Sequence, residues 1–153
     1  MNKIKILLSF ISGLTLMYAI SFLSNLFGHN IYQYYETETL EQKIIFAYSL
    51  LSEIILFIGL LFISVGLTKI IKAGVFNSIP SKFLKIGGIL FIAVALCDFI
   101  YVFESMMTQE NPELWLQRVF TNFLLLLLGL TSLIVSDVLQ KGSLLKNEND
   151  LTI

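Results

Sequence analysis

The chain has 153 residues, of which 56% are hydrophobic and 14% charged, with a formal net charge of −1. Mean hydropathy is +0.83. A soluble domain carries roughly a quarter charged residues, so this composition excludes a soluble globular enzyme and a disordered protein. A single cysteine, Cys97, excludes a disulfide scaffold, a CxxC redox centre and a multi-cysteine metal site.

Four apolar segments, 6–27, 44–68, 86–103 and 119–136, hold more than half of the residues. About 20 apolar residues in a helix cross a hydrocarbon core of about 30 Å. The first two segments reach that length. Flanking residues such as Met106 and Val138 extend the others, so helices are predicted over about 6–27, 44–68, 86–105 and 119–138. Unbroken apolar runs such as Leu124–Leu128 lack the alternation of a membrane barrel. Helices then satisfy the backbone inside lipid. The fold class expected is an all-α membrane protein: four transmembrane helices in an up-down-up-down bundle, one membrane domain over 1–153, with a cytoplasmic tail over 139–153.

The first segment follows Lys3 and Lys5, as a signal peptide would, but its apolar run is long and no A-x-A-like cleavage site follows. A retained helix is expected. Between the first two helices lie His29, Tyr32, Tyr34 and Tyr35. One histidine with no second ligand nearby makes a poor metal site. The connection 69–85 contains Gly74, Asn77 and Pro80, which are expected to separate the second helix from the third. Pro112 after Asn111 predicts a turn before the fourth.

Eight of the ten basic residues, Lys3, Lys5, Lys69, Lys72, Lys82, Lys85, Lys141 and Lys146, fall at the N-terminus, the second connection and the tail. Only Lys43 and Arg118 flank the first and third connections. By the positive-inside rule both termini are cytoplasmic. Tyr48, Tyr101 and Trp115 then gather at the outer interface, where amphipathic rings sit.

Each helix carries small or polar residues at helical spacing: Ser9, Gly13 and Ser24 on the first, Ser52, Gly59 and Gly66 on the second. Gly87, Phe91, Ala95 and Asp98 follow on the third, and Asn122, Gly129, Ser132 and Ser136 on the fourth. Such stripes let helices approach closely in lipid.

Two carboxylates enter the apolar spans. Glu53 lies about 13 Å and Asp98 about 7 Å along their helices from the outer end. An ionised carboxylate near a helix centre costs roughly 2.5–3.5 kcal/mol on insertion scales, so partners are expected. Arg118 and Asn122, four residues apart, share a face of the fourth helix: Arg118 is a candidate partner for Asp98 or Glu104 and Asn122 for either carboxyl, the alternative being that one carboxyl stays protonated. Glu53, Asp98, Arg118 and Asn122 thus form a candidate intramembrane polar site: a polar clamp fixing helix register, or a proton- or cation-responsive group. Lys69, Lys72, Lys82 and Lys85 form a candidate cytoplasmic surface for anionic lipid or a partner. There is no G-x-S-x-G, P-loop, GxGxxG or HExxH motif. No catalytic residue, metal or cofactor is expected, and the near-zero charge points away from direct nucleic-acid binding.

The ending Asp137-Val138-Leu139-Gln140-Lys141-Gly142, followed by Leu145-Lys146-Asn147-Glu148-Asn149-Asp150-Leu151-Thr152-Ile153, resembles that of a family of small bacterial four-helix membrane proteins of unknown function. An E-x-D-L-T-I-like finish is its mark, and Gly74-Val75-Phe76 and Lys85-Ile86-Gly87 resemble its cytoplasmic connection. Leu139 stands where an aromatic is common. The resemblance implies a multi-pass protein of the bacterial inner membrane, often encoded beside a helix-turn-helix regulator, and supplies no activity or catalytic residue. The expectation is a non-enzymatic regulatory or interaction component that meets membrane lipid, a cytoplasmic helix-turn-helix regulator or a second copy of itself. The alternative is a small transporter or proton- or cation-responsive protein using Glu53 and Asp98.

Overall fold

The computed structural model describes residues 2–28, 39–74, 78–108 and 112–151. They form four helices: α1 (Asn2–Gly28), α2 (Leu40–Ala73), α3 (Ser78–Thr108) and α4 (Pro112–Leu151). Each contains a stretch long and apolar enough to cross a membrane. Large apolar side chains stay exposed on all four, among them Phe10, Ile58, Ile100 and Ile134. In water a surface of this extent would aggregate; in lipid it faces a solvent as apolar as itself.

The helices outrun the apolar segments that predict them, because polar flanks continue a helix once its hydrogen-bond ladder is established. At the start of α2, Thr39 and Gln42 form a capping box: the Gln42 backbone N–H donates to the Thr39 hydroxyl, and the Thr39 N–H to the Gln42 side chain. Gly74 ends α2 at φ 87°, a left-handed backbone that glycine adopts without strain, and donates its N–H to the Ile70 carbonyl. The second and third helices separate at this connection as expected, and Pro80 lies just past the break. It lies in the first turn of α3, where helix N–H groups have no intrahelical acceptor, so the missing donor costs nothing. Pro112 opens α4 for the same reason. The tail also differs from expectation. It does not start at 139 as a separate segment; α4 runs on through Leu151, 40 residues or about 60 Å. Leu139 belongs to the core and Ser143 is buried, so packing carries the helix past its apolar segment.

Contact is most extensive between α3 and α4, less between α2 and α3, less again between α1 and α2, and slight between the remaining pairs. Tyr48 meets Asp98, Gly59 meets Phe91, and Gly66 meets Leu84. This descending register makes α2 and α3 antiparallel. Ser81 with Ser136, Leu84 with Ser132 and Gly88 with Gly129 do the same for α3 and α4. The buried core, Ile63, Leu67, Ile70, Leu84, Phe91 and Leu139, lies toward the α2–α3 turn, with Ile4, Leu8 and Ile11 of α1 packed on it.

The small-residue stripes explain this packing unevenly. A Cβ at Gly88 would come 2.8 Å from the Gly129 carbonyl oxygen, so these two helices touch backbone to backbone. The Ser136 hydroxyl donates to the Ser81 carbonyl at 2.9 Å and lies 3.1 Å from the Ser81 hydroxyl, while Ser132 donates to the Leu84 carbonyl at 2.9 Å. On α1 the expected stripe makes no close approach: nothing lies within 4 Å of a Cβ at Gly13, and Ser9 is exposed. α1 is the loosest of the four helices, and spacing alone does not distinguish a glycine that meets a neighbour from one that meets lipid.

Candidate functional site

The antiparallel register of α2 and α3 brings Tyr48 level with Asp98. The Tyr48 hydroxyl donates to Asp98 Oδ1 at 2.6 Å, a short charge-assisted hydrogen bond. The carboxylate therefore has a partner on a neighbouring helix, and it is a phenol rather than the expected arginine or amide. The Asp98–Tyr48 pair borders an open cavity of about 430 Å³ lined by α2, α3 and α4. Arg118, Asn122, Gln117 and Thr121 of α4 and Ser49 and Ser52 of α2 complete its polar wall, with Ile45 and Val102 as apolar members. Asn122 is 5% exposed, whereas Arg118 is exposed. The size falls within the 300–1,000 Å³ usual for small-molecule sites.

Three of the four intramembrane residues singled out by sequence thus line one space. Glu53 does not. It sits one helical turn beyond Ser49, at the flank of the lining stripe, with its Oε2 shielded from solvent. The phenol of Tyr18 on α1 lies within electrostatic reach of both Glu53 and Asp98. Both carboxylates thus lie in the same half of the molecule, Asp98 on the cavity wall and Glu53 off it. Sequence reading missed Tyr48 as a site residue by placing it in the aromatic belt. Its signal was positional: it lies one turn before Ser52, on the stripe that continues to Gly59.

A second cavity of about 450 Å³ follows, lined by Leu14, Met17, Tyr18 and Ser21 of α1, Leu56 and Leu60 of α2, Phe91 of α3 and Leu125 and Leu128 of α4. Its walls are almost wholly apolar. Beyond it the helices close. Phe91 is 4% exposed and a Cβ at Gly59 would come 2.7 Å from its ring. The core and the Ser81–Ser136 contact fill the remaining distance to the α2–α3 turn.

At that turn Lys69, Lys72, Lys82 and Lys85 are all exposed, at the opposite end from Asp98. His29, Tyr32, Tyr34 and Tyr35 lie outside the described residues, as do the side chains of Tyr101, Glu104 and Trp115. Among the described residues no three His, Cys, Asp or Glu side chains are grouped to hold a metal ion.

Four helices able to span a bilayer, an apolar exterior and polar groups turned into an interhelical cavity define a multi-pass membrane protein. Within that class, a family model of proteins of unknown function, DUF2975, matches residues 27–153, and the chain belongs to that family. No curated protein and no solved structure matches it.

Proposed function

We propose that the protein is a non-enzymatic regulatory component of the bacterial inner membrane. Its polar cavity opens outward and receives a stimulus; its basic inner end engages a cytoplasmic partner. Both termini lie inside, in keeping with the eight basic residues at the N-terminus, the α2–α3 connection and the C-terminal end. One observation carries the reading. Polar groups that could meet a ligand gather at one end, and the opposite half is filled by core packing and helix–helix contact. That asymmetry suits a receiver better than a conduit, since transport requires a polar path through both halves. The exposed lysines suit an acidic surface, and a helix-turn-helix regulator is the partner that the resemblance of the tail implies.

The test uses the full chain, tagged, in membranes from its own host. Capture of a cytoplasmic regulator is expected from the wild type, is lost when Lys69, Lys72, Lys82 and Lys85 are changed to Gln, and changes at least several-fold in Asp98→Asn. Ion or solute flux in proteoliposomes that depends on Asp98, with no regulator captured, overturns the reading in favour of a transporter.

A further inference from the structure

The two cavities are stacked on the same helix faces. On α2 the wall runs Ile45, Tyr48, Ser52, Leu56, Leu60, and on α4 it runs Arg118, Asn122, Leu125, Leu128, each at intervals of three or four residues. On α3, Asp98 is followed two turns on by Phe91, with Ala95 between them at 0% exposure. Side chains at this spacing form one continuous stripe. On α2 and α4 the two cavities therefore lie end to end as one line of grooves, roughly 22 Å from Ile45 to Leu60. Its first half carries polar side chains among apolar surface, and its second is almost wholly apolar and floored by Phe91. The change occurs within one turn on both α2 and α4. This is the polarity profile of an amphiphile.

We propose that this groove binds a single-chain zwitterionic amphiphile of the lysophosphatidylethanolamine kind. Its ammonium lies at Asp98, its anionic oxygens at Arg118 and Asn122, and its acyl chain between Leu56, Leu60, Leu125 and Leu128. Tyr48 holds one oxygen of Asp98 by a fixed hydrogen bond, which aims the carboxylate at the groove. Arg118 has contacts of its own within the protein, and the planar fork of a guanidinium leaves further donors that fit phosphate. Acid and base on facing helices select a head carrying both charges over a simple anion or cation. The loose seating of α1, which contributes Leu14 and Met17 to the apolar half, gives the chain a lateral way in from lipid. The inference deepens the receiver reading above, which supplies the outward orientation that sets the head at the level of lipid headgroups.

The test reconstitutes the full chain in phosphatidylcholine nanodiscs with a lysophosphatidylethanolamine carrying a diazirine near the chain end. Irradiation followed by peptide mapping reads where the tail lies. Adducts are expected to concentrate on Leu60, Leu125 and Leu128. They should fall at least five-fold in Leu128→Trp and in Asp98→Asn, while adducts at the lipid-exposed Phe10 and Ile134 are unchanged. In the wild type, unlabelled lysophosphatidylethanolamine competes, whereas phosphoethanolamine does not. Adducts spread evenly over the exposed faces overturn the proposal. So does competition by phosphoethanolamine alone, which marks a small-zwitterion site, or insensitivity to Asp98→Asn, which marks a tail site without head recognition. These readouts need no cytoplasmic partner. Loss of regulator capture with adducts intact therefore sinks the regulatory reading alone, and the converse sinks only the amphiphile.

Discussion

Asp98 shows how one residue's surroundings decide what it can do. Its insertion cost is offset by a hydrogen bond from Tyr48, a residue 50 positions away that no pattern of charges indicates. A hydrogen bond to a charged group is worth about 1.5–3 kcal/mol. Tyr48→Phe should therefore lower the thermal transition of the purified protein by several degrees, with little change in helicity. Asp98→Asn removes the charge that needs the donor, so the double variant should be less destabilised than the two single losses combined, by about 1 kcal/mol. Strict additivity in that cycle would mean that the phenol and the carboxylate do not interact. Glu53 offers the contrast. It has the same chemistry and lies on the same helix as Tyr48, yet it lines neither cavity.

At the level of the element, the α3–α4 seam sets the register of the molecule. Gly88 and Gly129 bring backbones together, and Ser81, Ser132 and Ser136 bond across the same line. Gly88→Ala drives a methyl against a carbonyl oxygen that has no rotamer to escape into, so a loss of about 1–3 kcal/mol is expected. Gly66→Ala meets the Leu84 side chain at 3.0 Å and no backbone atom closer than 3.4 Å, and should cost less. Gly13→Ala meets nothing and should gain up to about 1 kcal/mol from helix propensity. Thermal melts of the three variants in one detergent check this order; equal losses at Gly13 and Gly88 would contradict the seam. The four helices were legible in the sequence because a hydrophobic run fixes a span without reference to any other part of the chain. So were Asp98, Arg118 and Asn122, which stand out by polarity against apolar neighbours. Tyr48 and Gly88 were not. Their roles depend on the register between helices, set by contacts between residues tens of positions apart. Gly13 and Gly88 look alike in a single segment.

For the whole molecule, the decisive feature is that its two ends differ in packing and in charge together. The end holding the cavity is polar within and has Lys43 and Arg118 as its basic residues. The end holding the core exposes Lys69, Lys72, Lys82 and Lys85 within two turns of the α2–α3 connection. A loop with such a lysine cluster is retained on the cytoplasmic side, because basic residues near span ends resist translocation. On the topology proposed above, the open half faces outward and the closed half inward. Cysteine accessibility tests this directly. With Cys97 changed to Ser, Gln117→Cys on the cavity wall should react with a membrane-impermeant maleimide in intact spheroplasts. Ser78→Cys, exposed at the start of α3, should react only after the membrane is opened. Changing all four lysines of the connection to Gln should weaken that preference and yield a mixed population in which both positions label in part. If Ser78→Cys labels in intact spheroplasts and Gln117→Cys does not, the cavity faces the cytoplasm. The groove would then draw its ligand from the inner leaflet, and the lysines would face outward, away from any cytoplasmic regulator.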